Sequence, residues 1–353
     1  MTTPERTAMQ ASFQAEEAEG WAMFARAPAV RFAGADADGR PVLRTLSAVV
    51  LEGRLCVHGA DDGQKLGLVG RPVVASYDEI VAQVPSYWVH PELACPASTY
   101  YLSVQAEGTL ARVDDRAHKA RILTAIMERF QPEGGYLPIT ADAPRYAKVL
   151  DMLLVAELAP TRVSCKHKLG QHRTPAQIER ILAGLWQRGA PGDLRAMRLV
   201  REAHPARPLP ALLRGPDDSV LCVAPDHADA REVAAMLEGQ YWTEGFTHAR
   251  MTAAQRGSQA WVVTRDAAGR VLASGRAVSD GARFGYVMDM IVRPELRGRG
   301  HGKAIVKLLL AHPAMRGLVA IGLRTRDAQG LYRGFGFDTA RPRGEEMVLL
   351  RAP

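Results

Sequence analysis

The chain has 353 residues, 47% of them apolar and 24% charged, which is material for two ordinary domains of a globular protein. Its 45 Lys and Arg outweigh 38 Asp and Glu for a formal net charge of +7, yet no run of five or six like charges appears. That dispersal gives no basic nucleic-acid-binding tail, and the arginines read as solvated surface or as ligands for small phosphates.

The opening "MTTPERTAMQASFQAEEAEGW" is polar, with no secretory leader, and no apolar run reaches the roughly 18 residues of a membrane span. The cysteines, Cys56, Cys95, Cys165 and Cys222, form no C-x-x-C pair. A cytoplasmic chain with reduced thiols is expected.

The spacing predicts a helix from Ala11 to Arg26. Short β runs follow, with hairpin turns at Asp38-Gly39 and Glu52-Gly53 and a further turn at Glu107-Gly108. Apolar residues at 122, 123, 126, 127 and 130 predict a helix, and "KVLDMLLVAELAPTRVSCKHKL" begins as helix and returns to strand. This β-meander with marginal helices argues for a closed barrel. Thr174-Pro175-Ala176-Gln177 is a helix start, with an N-cap, a proline at N1 and Gln at N3. That helix and a second after Gly192 run to about Glu202. The prolines at 205, 208, 210 and 216 predict a linker over 204–216. Beyond it, strand, helix, a hairpin turning at Ala268-Gly269, strand, helix, strand, helix and a final strand predict one mixed α/β domain over 217–353.

Within that domain, "ELRGRGHGKAIVKLLL" (295–310) is a glycine-rich loop running into a helix after a strand that ends near Pro294. A Rossmann fingerprint fails at Lys303, and a Walker A loop fails at Arg297 and Ala304. Backbone N–H groups of such a loop still face one concavity at a helix N-terminus, which suits an anion and fits a pyrophosphate. Arg297-x-x-Gly300-x-Gly302 after that strand resembles the acyl-CoA loop of the GNAT superfamily of N-acetyltransferases. Leu331-Tyr332-Arg333-Gly334-Phe335-Gly336-Phe337 resembles the second GNAT signature, and "YWTEG" at 241–245 resembles a bacterial subgroup. The resemblance covers about 217–350. It implies that Arg297, Gly298, Arg299, Gly300, His301, Gly302 and Lys303 bind the pyrophosphate of acetyl-CoA. It also implies that Ile291 and Val292 pair with the pantetheine chain like an added strand. Tyr332 matches the family's acid for the departing thiolate. Asp289 is the candidate base or a structural carboxylate, placed by alternation on the face opposite Met288 and Met290; Glu244 is a weaker candidate.

In the first half, Arg44 and Lys65 converge on one anion if their strands lie side by side. "RTLS" at 44–47, "VHGA" at 57–60, Gln64-Lys65, "YYLSVQAEG" at 100–108 and "KHKLGQHR" at 166–173 resemble, in order, the pyridoxamine 5′-phosphate oxidase-like flavin-binding split barrels, nearest the nitroimidazole-resistance branch. The resemblance spans about 20–200. It implies that Arg44 and Lys65, beside Gln64, hold an FMN phosphate, and that Thr45, Leu46, Ser47, Val57, His58 and Gly59 line the isoalloxazine. Ser103 would face the ring, and Lys166, Lys168, Gln171 and Arg173 would close the site. Such barrels dimerise with flavin at the interface, so a homodimer is expected. Gln64 stands where the oxidase proper has Arg, which argues against pyridoxamine phosphate as substrate. His90, Cys95 and His58 raise a metal or haem, but no second close ligand pair accompanies them, and no metal is expected. The segment "VPSYWVHPELACPASTYY" is expected to cover the flavin.

The expected architecture is therefore a flavin-type split barrel with C-terminal helices (1–203) fused to a GNAT mixed-sheet domain (217–353). Its expected function is acetyl-CoA-dependent N-acetylation of a small amine, with an attached FMN-dependent oxidoreductase activity. A barrel that only senses flavin or dimerises is a second reading, and a basic regulator of nucleic acid a third.

Overall fold

The computed structural model describes residues 11–205 and 209–338. The final strand expected after Phe337 lies outside them, as do Pro208 and the first ten residues. Contacts divide the chain into one unit of 1–81 with 99–172 and a second of 82–98 with 173–353.

The first unit carries strands β1 (Gln14–Ala15), β2 (Val30–Ala35), β3 (Pro41–Leu46), β4 (Ala48–Leu51), β5 (Arg54–Ala60), β6 (Pro72–Val84), β7 (Ser98–Arg112) and β8 (Leu153–Lys168), β6 running on into the second unit. Its helices are α1 (Glu17–Arg26), α2 (Arg116–Phe130) and α3 (Pro144–Met152). The predicted first helix starts later than Ala11, because a 3₁₀ turn and the short β1, paired to β8, take up 11–15. The strand order is β3-β2-β6-β7-β8-β5-β4. Laid flat at about 4.8 Å per strand, β3 and β4 would lie roughly 29 Å apart. Only Ser47 separates them in the chain, a span of about 7.6 Å at most, so the sheet must curl until its ends meet. Val49, Cys56, Val113 and Val155 pack there against Ile122 and Ile126 of α2.

Glu52-Gly53 forms its expected turn, both residues with positive φ (49° and 72°). Glu107-Gly108 does not turn. β7 runs straight through it with a register shift, because a Cβ on Gly108 would meet Ala159 O at 2.7 Å, and only glycine lets β8 pass this close.

The second unit begins with α4 (Pro175–Arg188) and α5 (Asp193–Glu202). The capping box of Thr174 and Gln177 is formed as predicted. These helices are grouped by sequence with the barrel, but their contacts lie with the C-terminal unit: Trp186 meets His312 edge-on at 5.9 Å, and Arg316 donates to the Gln187 carbonyl at 2.6 Å. The segment expected to cover a flavin also belongs here. Trp88 lies so close to Gly184 that a Cβ there would be 2.4 Å from its ring, and the Arg188 guanidinium stacks on that ring at 4.7 Å. The described part of the proline-rich stretch is packed rather than extended, with Leu213 4% exposed and Arg214 bridged to Val220.

The rest is β9 (Val220–Cys222), α6 (His227–Leu237), α7 (His248–Arg256), β10 (Ala260–Arg265), β11 (Val271–Ser279), β12 (Phe284–Val292), α8 (His301–Ala311), β13 (Ala320–Leu323) and α9 (Gln329–Arg333). The sheet order is β13-β12-β11-β10-β9, antiparallel except for the parallel β12/β13 pair that α8 connects. Trp261, Val263, Val271 and Ile291 bury one face against α6 and Met251 of α7. Ile305 and Leu309 of α8 come to the other face at Gly275.

Candidate functional site

β13 follows β12 only from Phe284 to Val287. Beyond that, residues 288–292 keep β11 on one side and, among the described residues, have no strand on the other. An unpaired strand edge presents N–H and C=O groups to any extended ligand. Ile291 and Val292 lie on this stretch, as expected. Ile291 is buried in the core, and Val292 comes within 3.7 Å of a Cβ position on Gly302.

The loop after β12 is shaped by its glycines. Gly298 and Gly300 take φ of 79° and 97°, the left-handed region that a side chain makes costly. Gly300 thereby caps α8, and the first helical bond runs from Ala304 N to Gly300 O. The N–H groups of His301, Gly302 and Lys303 precede that bond and have no acceptor within the helix. Arg297, Arg299 and Lys303 are exposed around this positive end. Leu331 of α9 also approaches Gly302, at 3.6 Å from a Cβ position, so the loop, the end of β12 and α9 meet at one place. Tyr332 is 7% exposed, edge-on to Phe337 at 5.9 Å, and burial pushes its phenol up to about 12. The fields of Tyr241 and Asp327 push in the same direction.

Asp289 does not follow simple alternation. The register shifts between Ser274 and Arg276, so Asp289 and Met290 face the single Gly275, and Asp289 takes φ of 50°. Its Oδ2 accepts from Arg276 Nε at 2.6 Å and from Gln255 Nε2 at 3.4 Å. Both members of the ion pair are largely buried, at 13% and 14% exposure. Glu244 is exposed in the loop before α7.

A contact that sequence reasoning missed lies at the loop itself. Asp217, in a turn with φ of 53°, accepts from Arg299 Nε at 2.9 Å and lies 3.2 Å from His301 Nε2. Arg299 first, then His301, holds its carboxyl below the usual range. His301 lies 84 residues from Asp217 in the chain, and no local signal links them.

In the barrel the expected flavin ligands fall into two groups. Ala48 pairs with Val57, which sets Ser47 beside His58 and brings 44–47 to 57–59. Lys65 lies over Gly59, its Cε 3.0 Å from a Cβ position there, and donates to Asp62 O at 2.6 Å. Gln64 is exposed beside it, and Arg44 donates to the Leu43 carbonyl at 2.5 Å. His58 Nδ1 is buried without a protein partner, and burial holds the imidazole pKa down. The second group is elsewhere on β8. Ser103 pairs with Lys166 and Tyr101 with Lys168, and both ammonium groups lie over the Tyr101 ring, at 5.5 and 5.7 Å. Gln171 is occupied with the turn after β8, donating to His167 O and accepting from Leu169 N. Arg173 donates to Pro96 O. Val57 pairs with Ala156 of β8, whereas the second group pairs near Lys166, about 33 Å further along the strand path at roughly 3.3 Å per residue. His90 caps its own turn, its Nδ1 accepting from Glu92 N and Leu93 N, and Cys95 is exposed. Among the described residues no helix is long and apolar enough to cross a membrane.

Residues 16–167 match the family model for pyridoxamine 5′-phosphate oxidase, and residues 256–339 match that for the acetyltransferase (GNAT) domain. No curated protein matches the chain. Among solved structures, the FAD and heme binding protein from Mycobacterium smegmatis is 21% identical over 44% of this chain and 73% of its own, with a TM-score of 0.37. A proposed 5-nitroimidazole antibiotic resistance protein from Bacteroides thetaiotaomicron is 14% identical over 46% of this chain and 95% of its own, with a TM-score of 0.35. A proposed acetyltransferase of the GNAT family from Xanthomonas campestris pv. campestris is 30% identical over 38% of this chain and 96% of its own, with a TM-score of 0.33. The chain thus joins a pyridoxamine 5′-phosphate oxidase-like domain to a C-terminal domain that belongs to the GNAT family.

Proposed function

We propose that the C-terminal domain transfers an acetyl group from acetyl-CoA to a small amine. The observation that carries this is the open edge of β12 leading straight into the N-terminus of α8, with Leu331, the chain neighbour of Tyr332, against Gly302. The N–H groups of 301–303 and the side chains of Arg297, Arg299 and Lys303 suit a pyrophosphate. The edge at Ile291 and Val292 suits the amide-bearing pantetheine chain. With the thioester laid along that edge, a neutral amine attacks the carbonyl carbon, forming the C–N bond as the C–S bond breaks. Tyr332 shares its proton with the departing thiolate. Asp289, with Oδ2 held by Arg276, offers Oδ1 to the amine proton directly or through a water. The test is thiol release from acetyl-CoA over a panel of small amines; a panel without any turnover would defeat the reading.

For the barrel we propose FMN binding. The cationic Arg44 and Lys65 and the unpartnered His58 Nδ1 fit a phosphorylated, hydrogen-bonding ring system. When bound, FMN supplies one- and two-electron redox chemistry. The separation of the two ligand groups along β8 supports a homodimer in which each site draws on both copies. A barrel that binds flavin without turnover is favoured by Gln171, whose amide is consumed by its own turn. Reduction of bound flavin by a nicotinamide cofactor separates the two readings, and colourless protein that takes up no added FMN would defeat both. Mass spectrometry of co-purifying ligands addresses both domains at once.

A further inference from the structure

α1 lies close on the barrel. A Cβ on Gly20 would meet Val104 at 3.0 Å and the Cys165 side chain at 3.5 Å, so the helix rests almost directly on β7 and β8. This approach brings Met23 over Cys165. Along β8, Cys165 and His167 share one face and Lys166 and Lys168 the other. The result is a cluster of soft donors: Cys165 Sγ lies 3.9 Å from Met23 Sδ and 3.6 Å from His167 Nε2. Met23 is 0% and Cys165 1% exposed, while the imidazole is half-buried.

We propose that Met23, Cys165 and His167 form a binding site for a soft monovalent metal ion of the Cu(I) class, separate from the flavin ligands on the opposite face of β8. Three observations support it. The first is size. With metal–sulfur bonds of about 2.3 Å and metal–nitrogen bonds of about 2.0 Å, a trigonal site needs S···N near 3.7 Å and S···S near 4.0 Å. The two separations from Cys165 Sγ, 3.9 Å to Met23 Sδ and 3.6 Å to His167 Nε2, match the edges such a site needs at the thiolate. The second is donor type. Among the described residues no three His, Cys, Asp or Glu side chains cluster as a metal site. This one is completed by a thioether, and thiolate with thioether selects Cu(I). The third is charge. Binding replaces the thiol proton: Cys–SH and M⁺ give Cys–S–M and H⁺, and the proton leaves to solvent. The buried product is neutral, whereas a divalent ion on one thiolate would strand a positive charge in an apolar core. Cys165 is 1% exposed, and binding of the metal there releases the thiol proton.

The test uses the full chain under reducing, oxygen-free conditions, loaded with Cu(I) and challenged with excess Cu(I) chelator. One copper per chain is expected to survive, with an ultraviolet thiolate-to-copper band. Cys165→Ala should lose it. Met23→Leu, which keeps the core volume, and His167→Gln should each weaken retention at least about tenfold. Cys56→Ala, Cys95→Ser and Cys222→Ser should each hold copper like the parent, which separates this site from the other thiols. Circular dichroism identifies any variant that fails to fold. The proposal is overturned if the parent chain gives up its copper as readily as Cys165→Ala. It is equally overturned if folded Met23→Leu and His167→Gln both retain copper as tightly as the parent.

Discussion

Tyr332→Phe removes one oxygen from a side chain that is 7% exposed and leaves its ring packing on Phe337 in place. The phenol is held at about 12, so it is protonated at every working pH. A coenzyme thiolate belongs near the ordinary thiol value of about 8.5. Complete proton transfer would therefore run uphill by about 3.5 units, and Tyr332 can only share its proton as the C–S bond lengthens. That places its contribution at the low end of the general-acid range, about 10²-fold, or about 2.7 kcal/mol of barrier. The expected result is a kcat lower by about 10²-fold with acetyl-CoA affinity changed less than about threefold, since the pyrophosphate loop is untouched. Initial rates of thiol release give kcat, and calorimetric titration of acetyl-CoA gives the affinity. The parent's rate should show no loss of the acid form up to about pH 10. A kcat within threefold of the parent, on an amine that turns over, would refute the acid role.

Further outcomes are expected elsewhere. Gly275→Ala places a Cβ 2.2 Å from Met290 Sδ and 2.6 Å from Ile305, so thermal unfolding should reveal a loss of about 1–3 kcal/mol; an unchanged Tm would mean the bulge tolerates the methyl. Burial, aided by the Arg316 field, lowers the His312 pKa from 6.5 to about 4, and its Nδ1 accepts from Ala314 N. Between those values the unfolded chain takes up the proton that the native one refuses. Stability should therefore fall as pH drops from 6.5 to 4, by about 2 kcal/mol between pH 7 and 5. His312→Asn should flatten that slope, and an identical slope in both proteins would contradict it. Lys65→Ala should weaken FMN uptake about tenfold or more, read by absorbance on titration, and equal uptake would remove Lys65 from the phosphate site.

Local chemistry was the legible part of this chain. Thr174, Pro175 and Gln177 announce α4 because a capping box is written within four residues. The glycines of the α8 loop announce their left-handed turns because only they take such φ cheaply. Glu107-Gly108 misleads for the same local reason: the glycine serves a close strand crossing near Ala159 and not a turn. The bulge at Asp289 has no signal of its own, since it is fixed by Gly275 on the neighbouring strand and by Arg276. Trp88 against Gly184, Asp217 against Arg299 and Met23 against Cys165 are likewise set by packing between distant segments, which periodicity does not encode.

The division of the chain into compact units also bears on how its two domains can be taken apart. The C-terminal unit recruits 82–98 and 173–203 in addition to the acetyltransferase region. A fragment begun at the proline-rich stretch would lack Trp186 beside His312 and the carbonyl that receives Arg316. A fragment ended there would keep α4 and α5 without their partners. Proteolysis or gene splitting at that stretch would therefore leave apolar helix faces open on both products, and neither half would inherit a finished core. Duplication, swapping or loss of either compact unit would have to cut elsewhere, at more than one point in the chain.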